Sequence, residues 1–202
     1  MAVNRALELA REGRKVNLVD LDIVEPCYTL RPIKKELEQA GTTVLAWETK
    51  DTVGLGEAGN IIKPECRWAL YREGDVILDI GYGVEGAKTL NLLEGVEETP
   101  ELQIFAVINT KRPMTSTVPE ILGYIKELGP VDGLINNTHL GDETTPDTVQ
   151  EGARIVSEVS NILGIPAVAT AADQEVAKQI GPKDCMGNPV RPLVRYMPHT
   201  FW

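Results

Sequence analysis

The sequence predicts an α/β protein whose mostly parallel, twisted sheet carries helices on both faces. Short apolar runs typical of buried strands alternate with helical segments along almost the whole chain. The strand runs are continuously apolar rather than alternating, as expected when helices cover both faces of a parallel sheet. Polar residues follow several of these runs, and in parallel sheets ligands bind beyond the carboxyl ends of the strands.

The first half of the chain supplies three predicted strands. A helix is expected from Met1 to Arg14, and Gly41 ends a second one, since glycine readily follows the last turn of a helix. The glycine-rich, charged stretch 49–64 is expected to be a loop. The predicted elements are helix 1–14, strand 15–24, helix 33–40, strand 42–48, a short helix near 65–72 and strand 75–80.

The second half continues the alternation. Thr117 and Glu120 form a capping-box pattern, in which both side chains supply acceptors for free backbone N–H groups at a helix start. Thr145 and Pro146 indicate another start, because proline lacks the N–H that the first turn leaves unbonded. The predicted elements are helix 85–95, strand 102–109, a helix from 117, strand 132–137, helix 146–163, strand 165–170 and helix 174–181.

Length and composition predict one main domain. A chain of 202 residues with 43% hydrophobic content can bury a sizeable core. We expect one α/β domain over residues 1–181 and an irregular, proline-rich tail over residues 182–202.

The charge and the cysteine content of the chain indicate which binding partners and which cellular compartment to expect. The net charge of −10 argues against direct nucleic-acid binding and against binding to an anionic membrane surface, because both require lysine and arginine. Cys27, Cys66 and Cys185 are widely spaced, which is typical of a reducing compartment. No apolar run approaches the ~18 residues of a membrane span, and no signal-peptide pattern is present. We therefore expect a cytoplasmic protein.

Two aspartates close the first predicted strand. Asp20 and Asp22 are two positions apart, so on a strand their carboxylates point to the same side. Two adjacent carboxylates repel each other unless a cation or hydrogen-bond donors accept their charge. Magnesium suits such a pair, since it takes one or two carboxylates together with water and phosphate oxygens. The alternative is that both aspartates cap a turn in water.

A third aspartate closes the strand 75–80. Asp79 follows three apolar residues and precedes Gly81 and Gly83. An aspartate placed this way can hold a magnesium-bound water, while glycine lets the backbone approach a terminal phosphate. A plain strand-to-loop turn explains the same residues.

Other motifs in the chain carry less information. The run from Gly54 to Gly59 matches G-x-G-x-x-G, but no strand precedes it and no helix follows it, so we interpret it as a loop. Asn137 ends a predicted strand, and its amide can donate to and accept from a base edge, although a turn asparagine is an equal alternative. Neither His139 nor His199 has the spacing of a zinc ligand set. Lys111 and Arg112 follow the strand 102–109 and could bind an anion at the edge of the sheet. An exposed basic turn is the alternative.

The run from Asn4 to Pro26 resembles the MinD/ParA/cobyrinic-acid-synthase-like group of P-loop ATPases, also described as the MinD/ParA/CobQ-CobB group. In that group, a helix after the phosphate loop leads into a strand that ends in D-x-D, with proline soon after. The strand DVILDIGYG is similar to the group's second acidic strand, and LINNTHLG is similar to its strand ending in a base-contacting asparagine. The order of helices and strands agrees over about residues 1–170.

The resemblance implies a magnesium- and ATP-dependent site. Asp22 would orient or activate the attacking water, Asp20 would support the magnesium shell, and Asp79 would hold magnesium through water. Gly81 would let the backbone approach the nucleotide, and Asn137 would contact adenine. The group's nucleotide sandwich further implies a homodimer, and its members act on a partner protein.

One part of the group's pattern is missing. No G-x-x-x-x-G-K-S/T motif occurs in the 202 residues, and the chain opens within the predicted helix that should follow it. The loop, its lysine and its Ser/Thr supply most of the grip on phosphate. We therefore expect this chain to bind ATP poorly, the open reading frame to extend upstream, and the neighbours of the absent first strand to lack a partner.

Three functions follow from these observations. The first is a nucleotide-dependent switch or cofactor-assembly factor of the MinD/ParA type. The second is a non-catalytic binding module that keeps the fold and docks a partner through its acidic rim. The third is an ATP-dependent amidation-type synthase acting on a small carboxylate.

Overall fold

The computed structural model describes residues 1–22, 30–47 and 62–196. Pro26, Cys27, His199 and the run 54–59 lie outside the described residues. The chain divides into two compact units, a first unit of Met1–Leu102 with Tyr196–Trp202 and a second unit of Gln103–Arg195.

The first unit is built on a three-stranded parallel sheet. The strand order is β2-β1-β3, and every pairing in it is parallel. Short 3-10 helices complete the unit at Arg31–Ile33, Pro64–Tyr71 and Lys88–Leu92. Its elements are α1 (Ala2–Arg11), β1 (Val16–Leu21), α2 (Lys34–Gln39), β2 (Thr42–Leu45), β3 (Asp75–Ile80) and α3 (Gly83–Ala87).

Both faces of this sheet are covered. Every residue of β1 is buried, as expected for a central strand. Leu18 faces the cluster formed with α1 and α2, whereas Val19 faces the opposite cluster, which includes Cys66 and Ala69 of the 3-10 helix. The alternation of β1 side chains therefore divides the core of the first unit into two layers.

The second unit contains a four-stranded parallel sheet in the order β4-β5-β6-β7. Its helices begin where the sequence predicts. Thr117 accepts from the Glu120 N–H in a capping box, and Thr145 accepts from the Thr148 N–H. The elements are β4 (Phe105–Ile108), α4 (Val118–Leu128), β5 (Gly133–Asn136), α5 (Pro146–Leu163), β6 (Ala167–Asp173), α6 (Gln174–Ile180) and β7 (Val190–Leu193).

The core of the second unit lies between β4, β5 and the helices α4 and α5. Ile121 and Ile125 of α4 are four residues apart, so they share one face of the helix. They pack with Val156 of α5 and with Ile108 and Leu134 of the sheet. The α/β fold class and the parallel strand direction are thus confirmed.

The structure differs from the expected single sheet. Among the described residues, β3 pairs only with β1, and β4 pairs only with β5. Each of these strands therefore forms one edge of its own sheet. The separation follows the unit boundary near residue 102, whereas the sequence predicts one domain over residues 1–181.

The tail also differs from the expectation of an irregular segment. Residues 190–193 form β7, which pairs in parallel with β6. Pro192 is compatible with this strand because β7 is at the edge of the sheet, where a missing N–H breaks no ladder on its outer side. A buried carboxylate holds the preceding turn, since Asp184 accepts from the N–H groups of Met186 and Asn188.

In the described part of the chain, every helix is too short or too polar to cross a membrane.

Replacing Gly152 with alanine is expected to destabilise the second unit. The added Cβ would lie 2.1 Å from Thr138 Oγ1 and 2.7 Å from Asn136 Oδ1, and both neighbours are buried. We expect the free energy of unfolding, measured by urea denaturation, to fall by about 1–3 kcal/mol.

Gly123→Ala is the matched control for this substitution. Gly123 is also inside a helix, and nothing lies within 4 Å of its added Cβ. Its free energy of unfolding should stay unchanged or rise slightly, since alanine favours the helix. Equal losses in the two variants would contradict the close packing of Gly152.

Candidate functional site

Three aspartates gather at the carboxyl ends of β1 and β3. Asp20 and Asp79 are direct neighbours in the register of the two strands. Both are an even number of residues from Leu18 and Ile77, which face the layer containing α1. Asp22 follows β1 directly, and its N–H donates to Asp20 Oδ1 over 3.3 Å. The structure therefore brings together the three carboxylates that the sequence singles out.

Asp20 is the most enclosed of the three. Its residue exposure is 6%, and its Oδ2 lies 3.8 Å from the Nε of Arg31, whose side chain is also buried. Burial raises the pKa of Asp20 to about 7, and repulsion from Asp79 and Asp22 adds to this rise. The cation of Arg31 and the Asp22 N–H lower the pKa in part. Asp20 is thus a carboxylate under strong electrostatic stress at neutral pH.

Asp79 has a raised pKa for a similar reason. Burial is the main cause, and the nearby Asp22 carboxylate contributes in the same direction. The amino group of Met1 acts in the opposite direction and lowers the pKa of Asp79. Met1 is the N-cap of α1, and its side chain makes no capping hydrogen bond. The start of α1, where backbone N–H groups point outward, therefore lies beside Asp79.

Gly81 lies against the carboxylate of Asp22. A Cβ on Gly81 would lie 2.4 Å from Asp22 Oδ1, and a Cβ on Gly86 would lie 1.9 Å from the Gly81 carbonyl oxygen. Both positions therefore require glycine for close packing. The turn after β3 brings its backbone directly to the aspartate that follows β1.

The carboxylates at this edge of the sheet can be compared with the ligands that magnesium takes. No group of three or more His, Cys, Asp or Glu side chains among the described residues is arranged to hold a metal ion by itself. Magnesium commonly keeps several waters and uses only one or two carboxylates, so Asp22 and Asp79 fit it chemically. Asp20 is less suited to direct ligation, because Arg31 faces one of its oxygens and a backbone N–H occupies the other.

The two asparagines that end β5 have different environments. Asn136 is 1% exposed, its Nδ2 donates to Val149 O and Thr170 Oγ1, and its Oδ1 accepts from the Thr138 N–H. Asn137 is only half-buried, and its side-chain amide makes no hydrogen bond to any described residue. Asn136 is therefore a structural residue, whereas the amide of Asn137 is available to a ligand.

Asn109, at the end of β4, joins two loops of the second unit. Its Oδ1 accepts from the N–H groups of Lys111 and His139, and its Nδ2 donates to the His139 carbonyl oxygen. The Lys111 ammonium lies 2.7 Å from a carboxylate oxygen of Glu151, so its charge is already neutralised within the chain. Asn109 is the last residue of the predicted strand 102–109, but no sequence pattern predicts these hydrogen bonds between the two loops.

His139 is held in a basic environment. Its Nδ1 accepts from the Gly141 N–H. Burial lowers the pKa of His139, and the charges of Arg112 and Arg195 lower it further. Asn137 and His139 belong to the second unit, whereas Asp20, Asp22, Asp79 and Gly81 belong to the first.

Sequence reasoning missed Arg31, the cation that faces Asp20. The two residues are separated by a segment that includes 23–29, and no local pattern links them. Comparison with protein-family models and with curated proteins found no match to this chain.

Replacing Asp79 with asparagine is expected to stabilise the protein at high pH. Because the pKa of Asp79 is raised above its ordinary value of 3.8, the folded state retains a proton that the unfolded state has released. Stability therefore falls as pH rises from about 4 towards 7. Asparagine removes this penalty, so the free energy of unfolding at pH 8 should rise by about 1–2 kcal/mol.

Urea denaturation at pH 5 and pH 8 measures this effect. The wild-type protein should lose more stability between the two pH values than the Asp79→Asn variant. Glu127→Gln, an exposed carboxyl replacement on α4, should behave like the wild type. A variant at residue 79 that is less stable than the wild type at pH 8 would contradict the buried like-charge arrangement.

Alanine substitutions at Asn136 and Asn137 are expected to affect stability differently. Asn136→Ala removes three buried hydrogen bonds and should lower the free energy of unfolding by about 1–3 kcal/mol. Asn137→Ala should stay within about 0.5 kcal/mol of the wild type. Thermal and urea denaturation of both variants test this, and a larger loss for Asn137→Ala would reverse the assignment.

Proposed function

We propose that this chain is the nucleotide-binding domain of a MinD/ParA/CobQ-CobB-type P-loop ATPase, acting in the cytoplasm as a nucleotide-dependent switch or cofactor-assembly factor. The observation that carries this proposal is the meeting of Asp20, Asp22 and Asp79 with the start of α1. Strand ends with carboxylates beside a helix start offer complementary partners for a metal ion and a phosphate group.

The start of α1 and the three carboxylates favour ligands of opposite charge. The N–H groups and the positive dipole end of a ten-residue helix attract phosphate. Three carboxylates repel phosphate, so the anion needs a divalent cation between them. Magnesium held through water by Asp79 would supply that positive charge. Magnesium–ATP therefore fits this rim better than either component alone.

The chain's residues take separate roles in this proposal. Asp22 is placed to accept a proton from an attacking water, and Gly81 keeps the space that its carboxylate needs. Asp79 orients the water shell of the ion, and Asp20 supports that shell from beside Arg31.

The absent phosphate-loop motif limits this chain's activity. Without the motif's lysine and its Ser/Thr, phosphate contacts within the 202 residues are few, so binding should be weak and hydrolysis slow.

Calorimetric titration with ATP, with and without magnesium, tests the proposal. For this chain we expect a Kd of about 1 mM or weaker with magnesium and no detectable binding without it. In this chain, Asp22→Asn should keep that binding while the rate of ATP hydrolysis, measured as phosphate release, falls at least about 100-fold.

Asp147→Asn is the control, because Asp147 is exposed in the first turn of α5 in the second unit. It should leave both binding and hydrolysis unchanged. A folded protein that shows no binding of magnesium–ATP at millimolar nucleotide concentrations would overturn the proposal.

A non-catalytic binding module is the second candidate. The specific observation in its favour is the buried Arg31–Asp20 pair, since an internal arginine already compensates one of the carboxylates without a metal ion. This candidate predicts that millimolar magnesium and ATP together leave the melting temperature of the protein unchanged.

A further inference from the structure

Large side chains lie exposed on the first unit, where the Trp68 and Tyr71 ring centres are 6.2 Å apart. Trp68 is 55% exposed, Tyr71 is 60% exposed and Leu92 is 47% exposed. They lie on the 3-10 helices Pro64–Tyr71 and Lys88–Leu92. We call these three residues the Trp68 patch. Aromatic and aliphatic side chains grouped at a surface are typical of protein interaction sites.

The Trp68 patch rests on well-packed structure. Cys66 and Ala69, on the same 3-10 helix, are fully buried in the core of the first unit. The Tyr71 ring packs on Gly95, where an added Cβ would lie 3.1 Å from the ring, and the Tyr71 hydroxyl donates to Glu98. The exposed rings are therefore held in place rather than free to rotate, which lowers the entropic cost of binding.

An arginine extends the patch on one side. The Arg67 guanidinium stacks 5.6 Å from the centre of the Trp68 ring. It also donates to a carboxylate oxygen of Glu94 from both Nε and Nη2. Tryptophan, tyrosine and arginine are the residue types that dominate binding energy at protein interfaces.

The border of the patch is acidic. Residues 94–101 contain four glutamates and no lysine or arginine. Glu94 is paired with Arg67. Glu97, Glu98 and Glu101 are exposed and form no salt bridge with any described residue. Three uncompensated carboxylates next to exposed rings attract cationic groups, both through charge and through the faces of the rings.

We propose that the Trp68 patch and its acidic border dock a basic segment of a partner protein, one that presents an apolar anchor flanked by lysine or arginine. The anchor would cover Trp68, Tyr71 and Leu92, while its cations would meet Glu97, Glu98 and Glu101. A second copy of this chain is a poor occupant, because two copies would bring the acidic borders together. Anionic membranes and nucleic acids are repelled for the same reason.

Fluorescence anisotropy with a defined probe tests this docking surface. The probe is a labelled amphipathic peptide of 15 residues made of lysine and leucine, and its partner probe carries glutamate in place of every lysine. The lysine peptide should bind the full chain and weaken as salt concentration rises. The glutamate peptide should not bind.

Two variants locate the binding on the patch. Trp68→Ala should weaken binding about fivefold or more, as expected for an exposed aromatic anchor. The triple variant Glu97→Gln, Glu98→Gln, Glu101→Gln should weaken it about tenfold, and because these side chains are exposed it should keep the fold. Circular dichroism confirms that each variant is folded.

Matched controls test whether peptide binding depends on the Trp68 patch and its acidic border or only on the overall negative charge of the chain. Ile162→Ala removes another large exposed side chain, which is 56% exposed on α5. The triple variant Glu36→Gln, Glu127→Gln, Glu158→Gln removes three exposed carboxylates elsewhere. Both should bind the lysine peptide like the wild type. Equal weakening by the two triple variants, or unchanged binding by Trp68→Ala in a folded protein, would overturn the proposal.

Discussion

Neighbouring carboxylates of like charge are the constraint on which the first unit depends. Asp20 and Asp79 stand side by side on adjacent parallel strands, with Asp22 close behind. Hydrophobic packing of β1 against both layers forces these strands together, and the register then leaves the two aspartates no freedom to separate. Three compensations are open to such a group, namely a proton, an internal cation or a bound cation.

The structure shows one of those compensations, an internal cation, beside two of the aspartates. Arg31 faces Asp20, and the amino group of Met1 lies near Asp79. Neither is sufficient to return the carboxyl groups to their ordinary pKa values. An arrangement that stays electrostatically unfavourable after internal pairing is typical of functional sites, where a ligand relieves the remaining repulsion.

Local sequence patterns predict the elements of this fold well because their causes are local. The capping box at Thr117 and the proline start at Pro146 depend on residues within one helical turn. The gathering of Asp20 and Asp79 was also predictable, because parallel strands place their carboxyl ends at one edge. The Arg31 cation was not, since Arg31 is eleven positions from Asp20 in the sequence and no local pattern links the two residues.

Local sequence patterns do not predict which strands pair when the strands are far apart in the chain. The division into two sheets and the strand β7 both depend on contacts between segments far apart in the chain. The roles of Asn136 and Asn137 were likewise hidden, because the two residues have identical chemistry. Their roles differ only because successive side chains of a strand point to opposite faces.

The strand β7 has a consequence for where this chain can be shortened. Asp184 accepts from the Thr170 hydroxyl, which in turn accepts from the buried Asn136 amide. A chain cut after residue 181, at the end of the predicted domain, would lose Asp184 and leave the outer edge of β6 bare. Since synthesis runs towards the C-terminus, the sheet of the second unit closes only when its last residues emerge from the ribosome.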